Sequence, residues 1–256
     1  MTAPKPITID PLSTSSLLVE VHAAGQSLVK ATGFCVEAAA RKFLVTNWHV
    51  VSGIHPDTGE VLSSSGSPPD ELVIRHHASA RLGEWVIKKQ PLQMPSGANV
   101  WFEHPLGKAI DVIALPLNQD SDVAFHPLDL GLADFDMQVQ VAMPVSIIGF
   151  PFGLATVGAW PIWKTSHIAS EPHLNYEGRP AFLIDATTQG GMAGSPVVLR
   201  VYGGYATSKG SATGNGKPVT RFLGVYAGRI HGQAGIGRVW RPSVIKEILA
   251  TVPGGP

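Results

Sequence analysis

Short apolar runs rich in Val, Ile, Leu and Phe recur along this chain, and each is closed within a few residues by a turn former. With 28 Gly and 21 Pro among 256 residues, long helices are interrupted before they can form, and 3.6-residue periodicity is almost absent. The pattern predicts strands at 15–22, 28–37, 42–47, 70–76, 84–90, 98–103 and 111–117. A second series follows at 144–150, 161–169, 180–186, 195–202, 221–229 and 235–240. Two sets of about six strands imply an all-β fold of two antiparallel six-stranded β-barrels, each closed so that no edge is exposed. The segment 118–139, opening Asn118-Gln119-Asp120-Ser121-Asp122, reads as the connection, dividing the chain into 1–125 and 126–256. One helix is expected, at about 242–251, with Pro242 in its first turn and Val244, Ile245, Ile248 and Leu249 on one face. That face is expected to pack on the second barrel.

Composition narrows the function classes. Hydrophobic residues make up 44% and charged residues 15%, which suits a packed globular chain. Nineteen basic residues balance nineteen acidic ones without a basic cluster, so neither nucleic-acid nor anionic-membrane binding is expected. The apolar run 139–160 is broken by Pro144, Gly149, Pro151, Gly153 and Gly158, so it reads as two strands and a loop rather than a membrane span. Cys35 is the sole cysteine and rules out an internal disulfide, pointing to a reducing, cytoplasmic setting. Met1-Thr2-Ala3-Pro4-Lys5-Pro6 lacks the basic and apolar regions of a signal peptide. No Cys/His cluster suggests a metal, and no cofactor is expected. The segments 52–69 and 203–219 read as surface loops, either solvated tips or docking surfaces for a regulatory protein partner.

Three motifs carry chemistry. In Phe43-Leu44-Val45-Thr46-Asn47-Trp48-His49-Val50-Val51 an apolar strand runs directly into a histidine. In Ile110-Asp111-Val112-Ile113-Ala114-Leu115 a carboxylate leads an apolar strand, where burial needs a compensating partner. The third is Asp185-Ala186-Thr187-Thr188-Gln189-Gly190-Gly191-Met192-Ala193-Gly194-Ser195-Pro196-Val197-Val198. Together, and in this order, they resemble the general-base, orienting-acid and nucleophile segments of the chymotrypsin-fold serine peptidases. Thr32-Gly33-Phe34-Cys35-Val36, Gly149-Phe150-Pro151-Phe152-Gly153 and the placement of Asp185 eight positions before residue 193 resemble the Deg/HtrA-like branch. The likeness covers roughly residues 14–252 and is closest to standalone bacterial members without a PDZ module.

The resemblance implies a serine endopeptidase acting on protein or peptide substrates, with His49 as general base, Asp111 orienting it, and residue 193 as nucleophile. The N–H groups of Gly191 and residue 193 would form the oxyanion hole. Here position 193 is alanine, so no acyl-enzyme can form. Two origins fit that alanine: an engineered Ser-to-Ala change, or a natural pseudoprotease that binds peptides as a scaffold. Retention of His49, Asp111, Gly191 and Gly194 favours the first. Reading Ser195 as the nucleophile would put Pro196 where the family has glycine and break the spacing from Asp185. Met192 replaces the aspartate that secreted zymogens use for activation. The primary specificity pocket is expected from Thr187 and Thr188 at its floor, with Gly228, Arg229 and Gly235 along its wall. Lacking a carboxylate there, the parent enzyme is expected to cleave poorly after Arg or Lys and to favour small aliphatic or polar residues.

Overall fold

The computed structural model describes residues 8–63, 66–231 and 234–254; the amino-terminal Met1–Pro6 segment and the centre of the serine cluster lie outside the described residues. The first half forms one antiparallel sheet of eight strands. They are β1 (Ser16–Ala23), β2 (Gln26–Ala38), β3 (Arg41–Thr46), β4 (Glu71–Ala78), β5 (Trp85–Pro91), β6 (Phe102–Glu103), β7 (Ile113–Pro116) and β8 (Val123–Ala124). Their order is β5-β4-β1-β2-β3-β7-β6, with β8 paired to β4. The second half contributes β9 (Pro144–Gly149), β10 (Ile162–Ile168), β11 (Ala181–Asp185) and β12 (Pro196–Val201). A separate hairpin of β13 (Gly204–Thr207) and β14 (Gly210–Thr213) precedes β15 (Val219–Arg229) and β16 (Ile236–Trp240). Strands β10-β11-β16-β15-β12-β9 close into a barrel.

The expectation of two closed six-stranded barrels therefore holds for the second half only. In the first, β5 and β6 do not pair among the described residues. The predicted strand 98–103 supplies just Phe102 and Glu103 to the ladder, because Asn99 bridges back to Gln93 and Val100 donates to the Leu92 carbonyl. That local hairpin takes the hydrogen bonds closure would have used.

Alternation along the central strands explains why the runs look continuously apolar. On β2 and β3, Cys35 and Leu44 face the interior of the first sheet, while Phe34, Val36, Phe43 and Val45 face a seam shared with the barrel. On β12, Val197 and Leu199 fill the barrel and Val198 turns to the same seam. Both faces are buried, so both sets must be apolar. The ends of the chain cross this seam. Helix α1 (Pro11–Ser15), capped by the Asp10 side chain on the Leu12 N–H at 2.9 Å, ties to the barrel through Asp10–Arg200 and Ser13–Trp163. A second short helix, α2 (Trp48–Ser52), follows β3. Helix α3 (Ser243–Ala250) buries Val244, Ile245, Ile248 and Leu249 as expected. Yet it rests on β6 and β7 of the first sheet rather than on the barrel alone, with His104 bonded to Glu247 at 2.5 Å. No described helix is long and apolar enough to cross a membrane; 139–160 contains β9, a tight turn and a loop.

Candidate active site

His49 stands on α2, a single turn that begins where β3 ends. Asn47 is in extended conformation at the helix start, and its buried amide donates to the Asp111 carbonyl at 2.6 Å, joining α2 to the segment before β7. Gly53 ends the helix with φ +69°, and a side chain there would strike Pro69. Asp111 is 2% exposed. Its Oδ1 accepts the His49 backbone N–H at 2.9 Å and its Oδ2 lies 2.8 Å from His49 Nδ1. A carboxylate only accepts, so the proton sits on Nδ1 and Nε2 is left as the acceptor. Burial pushes the His49 pKa down, but the Asp111 charge and hydrogen bond prevail and hold it above the ordinary histidine value.

The 190–195 loop is held from three sides. Thr32, fully buried, donates its N–H to the Ala193 carbonyl at 2.9 Å and its hydroxyl to the Gly191 carbonyl at 2.8 Å. The same hydroxyl accepts the Phe150 N–H at 3.0 Å, and Thr46 donates to the Thr32 carbonyl at 2.8 Å. Phe152 N–H reaches the Gly190 carbonyl at 2.6 Å. Met192, wholly buried, pins the loop into the barrel core, an apolar anchor at the position of a zymogen's charged switch. Glycine is obligatory at 191 and 194. Their φ values are +93° and +85°, and a Cβ would lie 2.3 Å from the Phe150 carbonyl oxygen and 2.0 Å from that of Thr32. With the carbonyls engaged on the inner side, the Gly191 and Ala193 N–H groups have no hydrogen-bond partner among the described residues. Ala193 and His49 line one cavity, together with Gly190 and Gly191. Ser195 is fully buried at the start of β12, with its Oγ crowding Gly149, so it cannot serve as a nucleophile.

The residues expected to form a specificity pocket stand in different surroundings. Gly228 and Arg229 line a space of about 210 Å³ with His49, Asp111 and Arg238. Thr187 is exposed, with its carbonyl accepting from Lys164 at 3.0 Å, and Gly235 is its neighbour. Thr188 is buried and bonded to the Tyr226 hydroxyl, while the Tyr226 ring lies against Gly237. Tyr226 thus fills the space beside Thr188. Arg229 is exposed. Sequence reasoning missed Thr32 and Tyr226; both lie inside quoted or adjacent strands, but their partners are remote in the chain. No group of His, Cys, Asp and Glu among the described residues could hold a metal. Cys35 is buried and its thiol is pushed up to about 12 by that burial, which makes it inert.

The two loops behave differently. Asp57 in 52–69 reaches Arg179 at 2.5 Å and Arg238 at 3.1 Å, so that loop docks on the barrel. The 203–219 segment forms the β13–β14 hairpin, whose turn is fixed by Asp136 bonding Ser208.

The His49–Asp111 pair and the glycine-lined 190–195 loop thus meet at one cavity of a mostly β framework. The chain belongs to the trypsin-like peptidase domain family, whose sequence pattern matches residues 31–203. Among solved structures it is similar to the protease Anisep from Arthrobacter nicotinovorans, at 12% identity and TM-score 0.53, covering 93% of this chain and 94% of that one. The tobacco vein mottling virus protease aligns at 16% identity and TM-score 0.51, over 100% of this chain and 91% of the other. The HtrA-type protease AlgW aligns at 13% identity and TM-score 0.53, over 93% and 60%. At such identities the likeness concerns the fold. No curated protein matches the chain.

Proposed function

We propose that the chain is a serine endopeptidase scaffold of the Deg/HtrA-like branch whose nucleophile position is occupied by alanine. His49 would take the proton of a serine hydroxyl at 193 and hand it to the leaving amine, with Asp111 holding the imidazole in its tautomer. The N–H groups of Gly191 and residue 193 would receive the oxyanion. The observation that carries this reading is the His49–Asp111 pair at 2.8 Å facing a loop whose two N–H groups are unengaged among the described residues. As it stands, the chain would bind peptides without cutting them; loss of the serine costs on the order of 10⁶ in turnover in an unrelated protease. The intact machinery around one missing oxygen favours an engineered change over natural decay. The buried Cys35 suits a reducing, cytoplasmic setting. Because Tyr226 occupies the space beside Thr188, and Thr187, Gly228 and Gly235 carry no charge, cleavage after small rather than basic residues follows.

The test is Ala193→Ser, assayed with a peptide pool and a fluorophosphonate probe. Labelling that vanishes on adding His49→Ala supports a serine peptidase. A well-folded serine form that neither labels nor cleaves would leave the natural pseudoprotease.

A further inference from the structure

The largest opening at the site lies on the flank away from Gly228. It is an open groove of about 770 Å³ that begins at His49 and Ala193 and runs along the amino-terminal half of β2, walled by Leu28, Ala31, Val50 and Leu62. Its lining is mostly aliphatic, whereas the 210 Å³ cavity beside Gly228 is ringed by Arg229, Arg238, Asp57 and His55. Val29 and Leu62 are half exposed at the groove, and Phe152 is exposed on the turn beside Lys30. Large aliphatic side chains left open to water beside a reactive centre are a binding surface in the making.

The strand edge says what fits there. β2 pairs with β1 from Gln26 onward but meets β3 only from Phe34. Among the described residues the outer edge of 26–31 carries no partner strand, and the first bond on that edge is the Thr32 N–H to the Ala193 carbonyl. In an antiparallel ladder, residues of the same parity turn their N–H and C=O the same way, so Lys30 presents its pair alongside Thr32, while Leu28 sits unpaired at the bulge where the register with Val21 and His22 shifts. An extended chain leaving residue 193 would meet open backbone groups on one side and aliphatic pockets on the other.

We infer that this groove is the principal selectivity site, and that its ligand is an extended peptide segment with large aliphatic or aromatic residues immediately on the carboxyl side of the scissile bond. The inference rests on the peptidase reading for the position of that bond, and on the structure for the groove itself. On the acyl side Tyr226, beside Thr188, leaves room for small residues only, so discrimination among large side chains falls to the groove. The leaving half, which receives its proton from His49, lies in the aliphatic groove.

Two measurements separate the groove from the chemistry. The chain as it stands, with Ala193, is used to capture peptides from a randomised decapeptide pool, and the bound fraction is sequenced. Leu, Ile and Phe should be enriched over Asp and Glu at least tenfold, and Val29→Glu or Leu62→Glu should remove that enrichment; both residues are exposed enough to change without unfolding the chain. The Ala193→Ser form is then given the same pool, and the enriched positions should fall just after the cleaved bond. Enrichment confined to positions before the bond, or untouched by the two substitutions, overturns the inference while leaving a peptidase. Groove-dependent capture without any cleavage keeps the peptide site and overturns the peptidase reading. No selective capture and no selective cleavage overturns the inference outright.

Discussion

At the scale of single residues, the His49–Asp111 contact sets a titration that activity can report. Burial lowers the His49 pKa, and the Asp111 charge and hydrogen bond raise it by more. Only neutral imidazole can accept a serine proton, so kcat/KM of the Ala193→Ser form should rise with pH along a limb centred above 6.5. Replacing Asp111 by Asn removes the carboxylate and leaves burial alone, which should carry that midpoint below 6.5. Turnover should fall by roughly 10⁴, the loss seen for the equivalent change in an unrelated serine protease. A midpoint that stays put in Asp111→Asn would show that the carboxylate does not set it. The imidazole and carboxylate could be paired from their motifs, because each sits at the end of an apolar strand that the pattern locates. Thr32 could not. Its four hydrogen bonds reach Ala193, Gly191, Phe150 and Thr46, and the bond to Gly191 spans 159 positions in the chain. A buried threonine in a β run looks like any strand residue until the fold brings its partners in.

At the scale of elements, burial of both faces forces the apolar runs that make the central strands visible, whereas β5 and β10, with few buried residues, are located from shorter β-type runs between turn formers. β9 spans Pro144–Gly149 where 144–150 was expected, and β16 spans Ile236–Trp240 against 235–240. The β13–β14 hairpin escaped for the opposite reason. Its strands are built from Gly, Tyr, Ala, Ser and Thr with little buried surface, and tertiary bonds from Asp136 and Gln138 hold them. The 52–69 loop read as a solvated tip or a docking surface, yet its Asp57 is fixed between Arg179 and Arg238. Burial pushes the Asp57 carboxyl upward, but the Arg179 hydrogen bond and the Arg238 charge hold it below the usual carboxylate range. Asp57→Ala would leave Arg238, 7% exposed, with Glu177 at 3.5 Å as its remaining carboxylate. The expected loss is about 1–3 kcal/mol in urea unfolding, because an arginine left short of partners in a buried position retains its desolvation penalty. Amide exchange at His55 and Gly59 should quicken more than in the barrel strands. Unchanged exchange and stability would mean that the loop is held by its own backbone bonds.

At the scale of the whole molecule, the two halves are locked by segments that cross between them. α1 reaches the barrel through Asp10 and Ser13, and α3 returns to the first sheet through its apolar face and Glu247. A third lock is a cluster of rings. His77 stacks on Trp85 at 4.1 Å, meets His126 at 4.9 Å and, at 5.3 Å, Trp160 of the connection between β9 and β10, and Trp85 donates to the Gly158 carbonyl at 2.8 Å. His77 Nε2 also contacts the Thr14 carbonyl at 2.9 Å, tying in the amino-terminal segment. His76, next along β4, packs edge-on against Phe125 at 5.7 Å, with Lys88, Asp120 and Asp122 as its charged neighbours. Burial pushes both His76 and His77 down to about 4; the neighbouring His77 charge adds to this for His76, as His126 does for His77. The unfolded chain titrates them near 6.5, so between these values it binds more protons than the fold does. Stability from the neutral rings is therefore complete above about pH 6.5, drains as pH falls, and is spent by about pH 4; the total at stake is on the order of a few kcal/mol. Asp10 and Asp57, whose pKa values are held below 3.8, lose their contribution only at lower pH, leaving the upper window to the histidines. Thermal midpoints should fall steeply from pH 6.5 to 4.5, and His76→Leu with His77→Phe should flatten that slope. An equally steep slope in the double variant would place the acid sensitivity elsewhere. Because Phe150 and Phe152 support the 190–195 loop from the same 150–160 connection that carries Trp160, loosening this cluster should also reach the site. Fluorophosphonate labelling of the Ala193→Ser form would then fall over the same pH range, and by less in the double variant.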